Sequence, residues 1–240
     1  VWQFCEWGFM GSALRLAAAV ACWLQACSEA DVSVPESALL DEAGAQFMQF
    51  FRELGGDAPA IELALFPGAG RGVRAAKAFQ PGDVVCTIPM SIVIHIGQIV
   101  QDAELGQDLA PLITSPSLTR TLGHEALPEE NRRMKMESGV AIWLAYQRSQ
   151  GTRSVAHPYV SLLPDIEHMP DPLRWVDRPA TANALQASQL REHLDRLNAN
   201  LTDELSLFKR HAKSSWAKTL SFDDFRWAAT NVARRSFMMQ

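Results

Sequence analysis

The hydrophobic and polar positions divide the chain into a region of short apolar runs and a longer region of helical periodicity. Between residues 61 and 96 the apolar runs are separated by glycine and proline turns, a pattern typical of strands. Strands are therefore predicted over residues 61–66, 73–78, 84–88 and 92–96, with a turn at residues 81–83. From about residue 100, apolar residues recur every three or four positions, which indicates amphipathic helices.

Helix boundaries are marked by capping residues. A first helix, with Phe47 and Phe51 on its apolar face, is predicted to end at Gly55. A second extends from Met136 towards Gly151, and a long apolar stripe over residues 190–208 predicts a third. A final helix is expected to begin after Ser221, because a hydroxyl cap and the acids that follow it suit exposed helix amides.

The order of these elements predicts an α+β fold. Strands come first, an all-helical block occupies about residues 100–218, and a new segment starts near Ser221. A helical insert between two parts of a β-rich domain produces this order. Residues 31–60 are interpreted as an acidic lead-in with one helix, and residues 61–240 as the domain itself.

Residues 1–30 resemble a leader or targeting segment. From Met10, Arg15 precedes an apolar run over residues 16–24 and small residues follow, as in a secretory leader. The run is shorter than the roughly 20 residues that a membrane span needs. A lipoprotein signal, the front of a plastid signal and a structural helix remain open, and so do plastid, secretory and cytoplasmic locations. Val1 suggests a fragment or an extended reading frame.

Charge and cysteine content exclude several classes of protein. A formal net charge of -5 provides no basic face for nucleic acid. Cys86 is the one cysteine after residue 30, so a disulfide framework and a cysteine zinc cluster are both excluded for the body. Cys86 lies in an apolar run and is expected to be a buried thiol. No metal-binding histidine motif, nucleophile elbow or Walker loop is present.

Three segments together resemble a known family. The first comprises residues 70–75 (GRGVRA), followed by FQPGDVV from Phe79 and by Ile88 and Pro89. The second comprises residues 157–160 (HPYV) and 162–164 (LLP), and the third residues 225–228 (FRWA) and 234–237 (RRSF). In this order they are similar to SET-domain protein methyltransferases. More narrowly, they resemble the group that includes the plant Rubisco large-subunit lysine methyltransferase and the animal actin-histidine methyltransferase.

This resemblance implies a β-rich SET core, of which only the first part is present, split by the helical insert. It also implies S-adenosylmethionine as cofactor and a protein substrate, most plausibly methylated on lysine, that docks on the insert. Gly70 and Gly72 would let the backbone approach the cofactor closely. Ala69 and Arg71 would offer main-chain groups, although many relatives carry an acid where Ala69 stands. Arg235 would grip the cofactor's carboxylate.

In the family, an Asn-His pair that holds cofactor and a tyrosine at the methyl-transfer channel follow this last segment. The chain ends at Gln240, and its tyrosines, Tyr146 and Tyr159, precede the expected position. The resemblance therefore implies an N-terminal fragment that is inactive by itself, with no catalytic residue and no metal ligand to assign. The number of methyl groups added and the choice between lysine and histidine stay open.

Two other readings compete with an enzyme. A SET relative that has lost catalysis would serve as a non-catalytic protein-binding module, using the helical insert as its docking surface. A secreted or lipid-anchored helical protein would explain the leader, and cofactor binding would exclude it. No transmembrane span and no nucleic-acid partner are expected under any of these readings.

Overall fold

The computed structural model describes residues 41–67, 70–113, 134–169, 171–186 and 188–236. The predicted leader, Ala69 and the last residue of the third resemblance segment, Phe237, lie outside these ranges. The strands are β1 (Ile61–Phe66) and β2 (Gly70–Ala75). The helices are α1 (Glu42–Glu53), α2 (Ile96–Ile99), α3 (Gly106–Leu109), α4 (Met136–Gln150), α5 (His157–Val160), α6 (Pro179–Leu185), α7 (Gln189–His211), α8 (Ser215–Thr219) and α9 (Phe222–Arg235). Short 3-10 helices occupy Met90–Ile92, Gly151–Arg153 and Pro172–Asp177.

Strands β1 and β2 form an antiparallel hairpin whose register runs from Ile61 opposite Ala75 to Phe66 opposite Gly70. The strand predicted over residues 61–66 is confirmed, whereas the next one begins earlier than predicted, at Gly70. Gly70 has φ +80°, a conformation that glycine adopts without steric cost. The hairpin also explains why position 72 is a glycine, because a Cβ there would lie 2.8 Å from Cε2 of Phe66.

The prediction of strands over residues 84–88 and 92–96 is wrong. Thr87 makes one isolated antiparallel bridge to Asp57, and the later run is replaced by the 3-10 helix and α2. Among the described residues the hairpin is the whole sheet, so these apolar runs have no ladder to join. Val84 is consequently 74% exposed, and Cys86 is half-buried rather than buried.

The turn and helix boundaries agree with the sequence. The turn at residues 81–83 is confirmed, since the Asp83 N–H donates to the Gln80 carbonyl at 3.0 Å. Gly55 and Gly151 end α1 and α4 at positive φ values of 86° and 55°. Ser221 caps α9, because its hydroxyl accepts a hydrogen bond from the Asp224 N–H at 3.0 Å.

The core lies in the helical block, where α4 packs most extensively against α9. Trp227 and Phe225 of α9 and Phe208 of α7 are buried at its centre. The apolar stripe of α7 is buried only in part, since Leu190 remains 42% exposed. In the described ranges, no helix has the length and hydropathy to cross a bilayer. The division of a β-rich core by this block stays a prediction.

Two buried carboxylates hold helix starts from other elements. Glu204 of α7 accepts hydrogen bonds from the Ser138 hydroxyl and from the Lys135 backbone at the start of α4. Asp108 of α3 accepts from the N–H groups of Lys213 and Ser214, at 2.7 and 3.1 Å, just before α8. Both side chains therefore satisfy backbone N–H groups at or just before a helix start.

Burial raises the pKa of Glu204, while the hydrogen bond from Ser138 and the charge of Lys135 oppose the rise. Glu137, the other acid near this carboxyl group, adds to it. Because the folded chain holds this proton more tightly than the unfolded chain, the associated stability is complete below the ordinary glutamate pKa of about 4.3. It is lost as the pH rises through the folded pKa.

We predict that Glu204→Gln removes this pH dependence. Between pH 4.5 and 8, the free energy of unfolding of the wild type should fall relative to the variant, by about 1.4 kcal/mol for each unit of raised pKa. Urea unfolding at each pH measures the difference. Asp203→Asn, an exposed change on the same helix, is the matched control. A constant difference between wild type and Glu204→Gln would contradict the prediction.

Candidate functional site

The Arg71 guanidinium joins three parts of the chain. Its Nη1 donates to the Leu162 carbonyl oxygen at 2.7 Å, and its Nη2 pairs with the Asp41 carboxylate. Asp41 also caps α1, because its Oδ1 accepts from the Gly44 N–H at 2.9 Å. The hydrogen bond from Arg71 lowers the pKa of the Asp41 carboxyl group, although burial opposes the shift. One side chain of β2 therefore fixes the start of α1 and the loop after α5.

Trp227 of α9 reaches the same loop. Its Nε1–H donates to the Pro164 carbonyl oxygen at 2.8 Å, and the ring is 2% exposed. The Arg148 guanidinium lies 4.1 Å from the centre of the ring on its face, a cation–π contact. We call residues 157–164, which comprise α5 and this loop, the anchor segment. It holds both the hairpin and α9, so the three segments of the sequence resemblance meet there.

Arg235, at the end of α9, also lies near the anchor segment. Its Nη1 donates to Asn231 Oδ1 at 2.8 Å, and Asn231, which is 1% exposed, donates through Nδ2 to the Trp227 carbonyl at 3.1 Å. This chain of hydrogen bonds along one helix orients the guanidinium. More than a third of Arg235 remains exposed, which leaves it accessible to a ligand.

Tyr159 of α5 is the neighbour of Arg235 in the anchor segment. Burial raises the pKa of Tyr159, and the positive charge of Arg235 lowers it. Burial in turn lowers the pKa of Arg235, while Tyr159 raises it and Arg234 lowers it further. The Tyr159 ring also lies 6.3 Å from that of Phe47 in α1, measured between ring centres. Tyr159 is thus a packed support beside Arg235.

The hydrogen-bond ladder between β1 and β2 does not use the backbone N–H and C=O groups of Arg71. Ala60 stands opposite Ala76, and the Ala76 N–H donates to the Ala60 carbonyl at 2.9 Å. Hydrogen-bonded pairs alternate along an antiparallel ladder, so Gly70 and Gly72 form such pairs, whereas the N–H and C=O of Arg71 point away from β1. Among the described residues no strand pairs with this outer edge of β2.

The two glycines differ in the space beside them. A Cβ on Gly70 would have no atom within 4 Å, whereas the Phe66 ring fills the equivalent space at Gly72. A ligand therefore has open access at Gly70 and at the outward edge of Arg71, and not on the Phe66 side of Gly72. The described part of the chain contains no group of three or more histidine, cysteine, aspartate or glutamate side chains that could hold a metal ion.

No protein-family model matches the chain. SET domain-containing protein 4 of Artemia parthenogenetica is a curated relative that is 22% identical over 176 residues. The match covers 73% of this chain and 38% of the relative, so the chain spans well under half of that protein's length. The similarity supports a relationship to SET-domain proteins, and through them a possible methyltransferase. It does not show membership of the narrower Rubisco and actin-histidine group.

Sequence reasoning missed Asp41 and Asn231, the residues that hold Arg71 and Arg235. Asp41 carries a local signal, because aspartate before a helical run is a favoured N-cap. That signal predicts the cap but not the ion pair, which joins residues 30 positions apart. Asn231 carries no comparable signal, since a polar residue within a helix usually lies on the solvated face.

We predict that Arg71→Lys lowers the free energy of unfolding by about 1–2 kcal/mol, because lysine cannot reach both partners with one planar fork. Arg74→Lys is the matched control, since among the described residues Arg74, on the same strand, pairs with exposed Glu62 across the hairpin. Its effect should stay below about 0.5 kcal/mol. Chemical denaturation measures both variants, and equal losses would show that Arg71 does not link distant segments.

Proposed function

We propose that this chain is part of a SET-domain methyltransferase that uses S-adenosylmethionine to methylate proteins, most plausibly on lysine. One observation carries the proposal: the three segments that resemble the family meet at the anchor segment. This meeting brings the outward backbone of Arg71 and the oriented guanidinium of Arg235 to the same short stretch of chain. The SET-domain relative supports the same assignment.

Each candidate residue would contribute one kind of contact. Arg71 would offer backbone N–H and C=O groups, and Gly70 would leave space for close approach. Arg235 would bind the carboxylate of the cofactor through charge-assisted hydrogen bonds, with Asn231 fixing its direction. Gly72 would leave room for the Phe66 ring to pack against the hairpin. For Ala69, the main-chain contact implied by the resemblance stays a prediction.

When bound, S-adenosylmethionine would supply a methyl group on a sulfonium, whose carbon an amine would attack in line with S-adenosylhomocysteine as the leaving group. The protein's contribution is positioning, because holding the two reactants in line removes an entropic barrier. A lysine amine has a reference pKa of about 10.4 and must lose its proton before it attacks. The resemblance places the tyrosine that assists this step beyond Gln240, so no catalytic residue is assigned within the chain.

The narrower part of the proposal is membership of the Rubisco and actin-histidine methyltransferase group. The split arrangement supports it, because a helical block separates the hairpin from α9 and residues 157–164 match the group's Pro-Tyr and Leu-Pro elements. In this proposal the block over about residues 100–218 docks the protein substrate.

A non-catalytic protein-binding module is the second candidate, and one observation favours it. Asp41 and Leu162 occupy the Arg71 side chain within the fold, and the Phe66 ring fills the space beside Gly72 where a Cβ would lie. Sequencing the transcript beyond the codon for Gln240 separates the two candidates. An Asn-His pair with a later tyrosine favours the enzyme, and replacement of these residues favours the module.

Cofactor binding tests the proposal directly. We predict that the longest gene product containing this chain binds S-adenosylhomocysteine in isothermal titration, and that Arg235→Lys weakens binding about tenfold through loss of the paired hydrogen bonds. Arg234→Lys is the matched control and should change affinity less than about twofold. Absence of binding, or equal effects of the two substitutions, would overturn the assignment.

A further inference from the structure

The anchor segment follows one side of α9 from Trp227 towards Arg235. Trp227, Asn231 and Arg235 are spaced four residues apart, so they lie on the same side of the helix. The hydrogen bond from Trp227 to Pro164 fixes one end of the segment there, and Arg235 lies two turns further on, about 12 Å along the helix. Burial raises the pKa of the Tyr159 hydroxyl and the Arg235 charge opposes the rise, so the segment brings Tyr159 to the end of α9.

Tyr159 combines a packed ring with an unused hydroxyl. The ring packs against the helical core, and its centre lies 6.3 Å from that of Phe47. Among the described residues the hydroxyl has no hydrogen-bond partner, and it is not among the fully buried polar atoms, so it retains contact with solvent. A tyrosine hydroxyl inside a fold usually finds a partner. Tyr159 therefore presents a free donor from a fixed position.

Arg235 adds a positive charge that no nearby acid neutralises. Its Nη1 is directed at Asn231, whereas Nε and Nη2 have no partner in the part of the chain that the structure describes. The charged groups that shift the pKa of Arg235 are Tyr159 and Arg234, and no described carboxyl group is among them. This balance favours an anion, and a guanidinium with two free donors suits the planar carboxylate group.

We propose that the Tyr159 hydroxyl donates a hydrogen bond to the same carboxylate that Arg235 binds, so that α5 and α9 hold one anionic group of the ligand together. The inference rests on the proposed function, in which that carboxylate belongs to the amino-acid end of S-adenosylmethionine. A carboxylate has about four acceptor positions, so it can take the phenol donor and the guanidinium donors at once. Tyr159 is thereby a binding residue for the cofactor as well as a support for the fold.

A purely structural role makes a different prediction. Phenylalanine would fill the same space beside Phe47, and the fold gives the Tyr159 hydroxyl no partner to lose. Tyr159→Phe should therefore leave thermal unfolding of the ligand-free protein unchanged. A loss of affinity in this variant then reports on the hydroxyl and not on the packing of the ring.

The test is isothermal titration of the longest gene product containing this chain with two ligands. S-adenosylhomocysteine carries the carboxylate, whereas 5′-methylthioadenosine keeps the adenosine and the sulfur but lacks it. Tyr159→Phe should weaken binding of S-adenosylhomocysteine about fivefold, through loss of one hydrogen bond, and change that of 5′-methylthioadenosine less than about twofold. Tyr146→Phe is the matched control, because it deletes the same hydroxyl from a ring that packs on Trp216, and both affinities should stay unchanged.

A ligand-free measurement tests the pairing of the two side chains. Tyrosine labelled with ¹³C at Cζ reports ionisation of the phenol, and Tyr159→Phe assigns the resonance. Arg235→Gln should raise the pKa of Tyr159, because it removes the charge that opposes the effect of burial. An unshifted titration would show that the two groups are not neighbours and would overturn the inference.

The binding results separate this inference from the proposed function. A wild type that binds neither ligand contradicts the proposed function and the inference with it. Wild-type binding of S-adenosylhomocysteine that Tyr159→Phe leaves unchanged overturns the inference alone. An equal loss for both ligands also overturns it, because Tyr159 would then act through packing and not through the carboxylate.

Discussion

The arrangement of the candidate site depends on the two hydrogen bonds that the Arg71 guanidinium donates. It joins a hairpin, the start of α1 and the anchor segment through two hydrogen bonds to partners far apart in sequence. Trp227 adds the last helix to the same loop through Pro164. Without these contacts, the outward edge of β2 and the guanidinium of Arg235 would have no fixed relation, because the hairpin shares little of the helical core.

The helical block has its own stabilising interactions and carries the candidate site as a rigid support. Its interior is apolar around Trp227, Phe208 and Phe225. Two buried carboxylates within it, those of Glu204 and Asp108, accept hydrogen bonds from hydroxyl or backbone donors near helix starts. Such satisfied buried carboxylates specify how the helices meet, since any other packing would leave a charge without partners. The orientation of α9, and with it of Arg235, follows from this packing.

Local signals predicted the fold where the cause is local. Ser221 as a cap and Gly55 and Gly151 as stops are dictated by backbone amides and positive φ, so the sequence sufficed. The strand predictions for residues 84–88 and 92–96 failed because a strand needs a neighbouring strand to pair with. An apolar run does not reveal whether such a neighbour exists. The family resemblance singled out Arg71 and Arg235, whose cofactor contacts stay predictions, but it did not indicate their partners Asp41 and Asn231. Those partners depend on tertiary packing, which sequence spacing does not encode.

Hydrogen exchange at the Arg71 amide, with and without S-adenosylhomocysteine, tests the central claim most directly. The outward N–H of Arg71 has no partner strand among the described residues, whereas that of Gly72 belongs to a hydrogen-bonded pair with Ala64. We predict that the ligand slows exchange at the Arg71 amide and leaves exchange at the Gly72 amide nearly unchanged. Binding that leaves Arg71 exchange unaltered would contradict it, because the cofactor would then lie elsewhere on the protein.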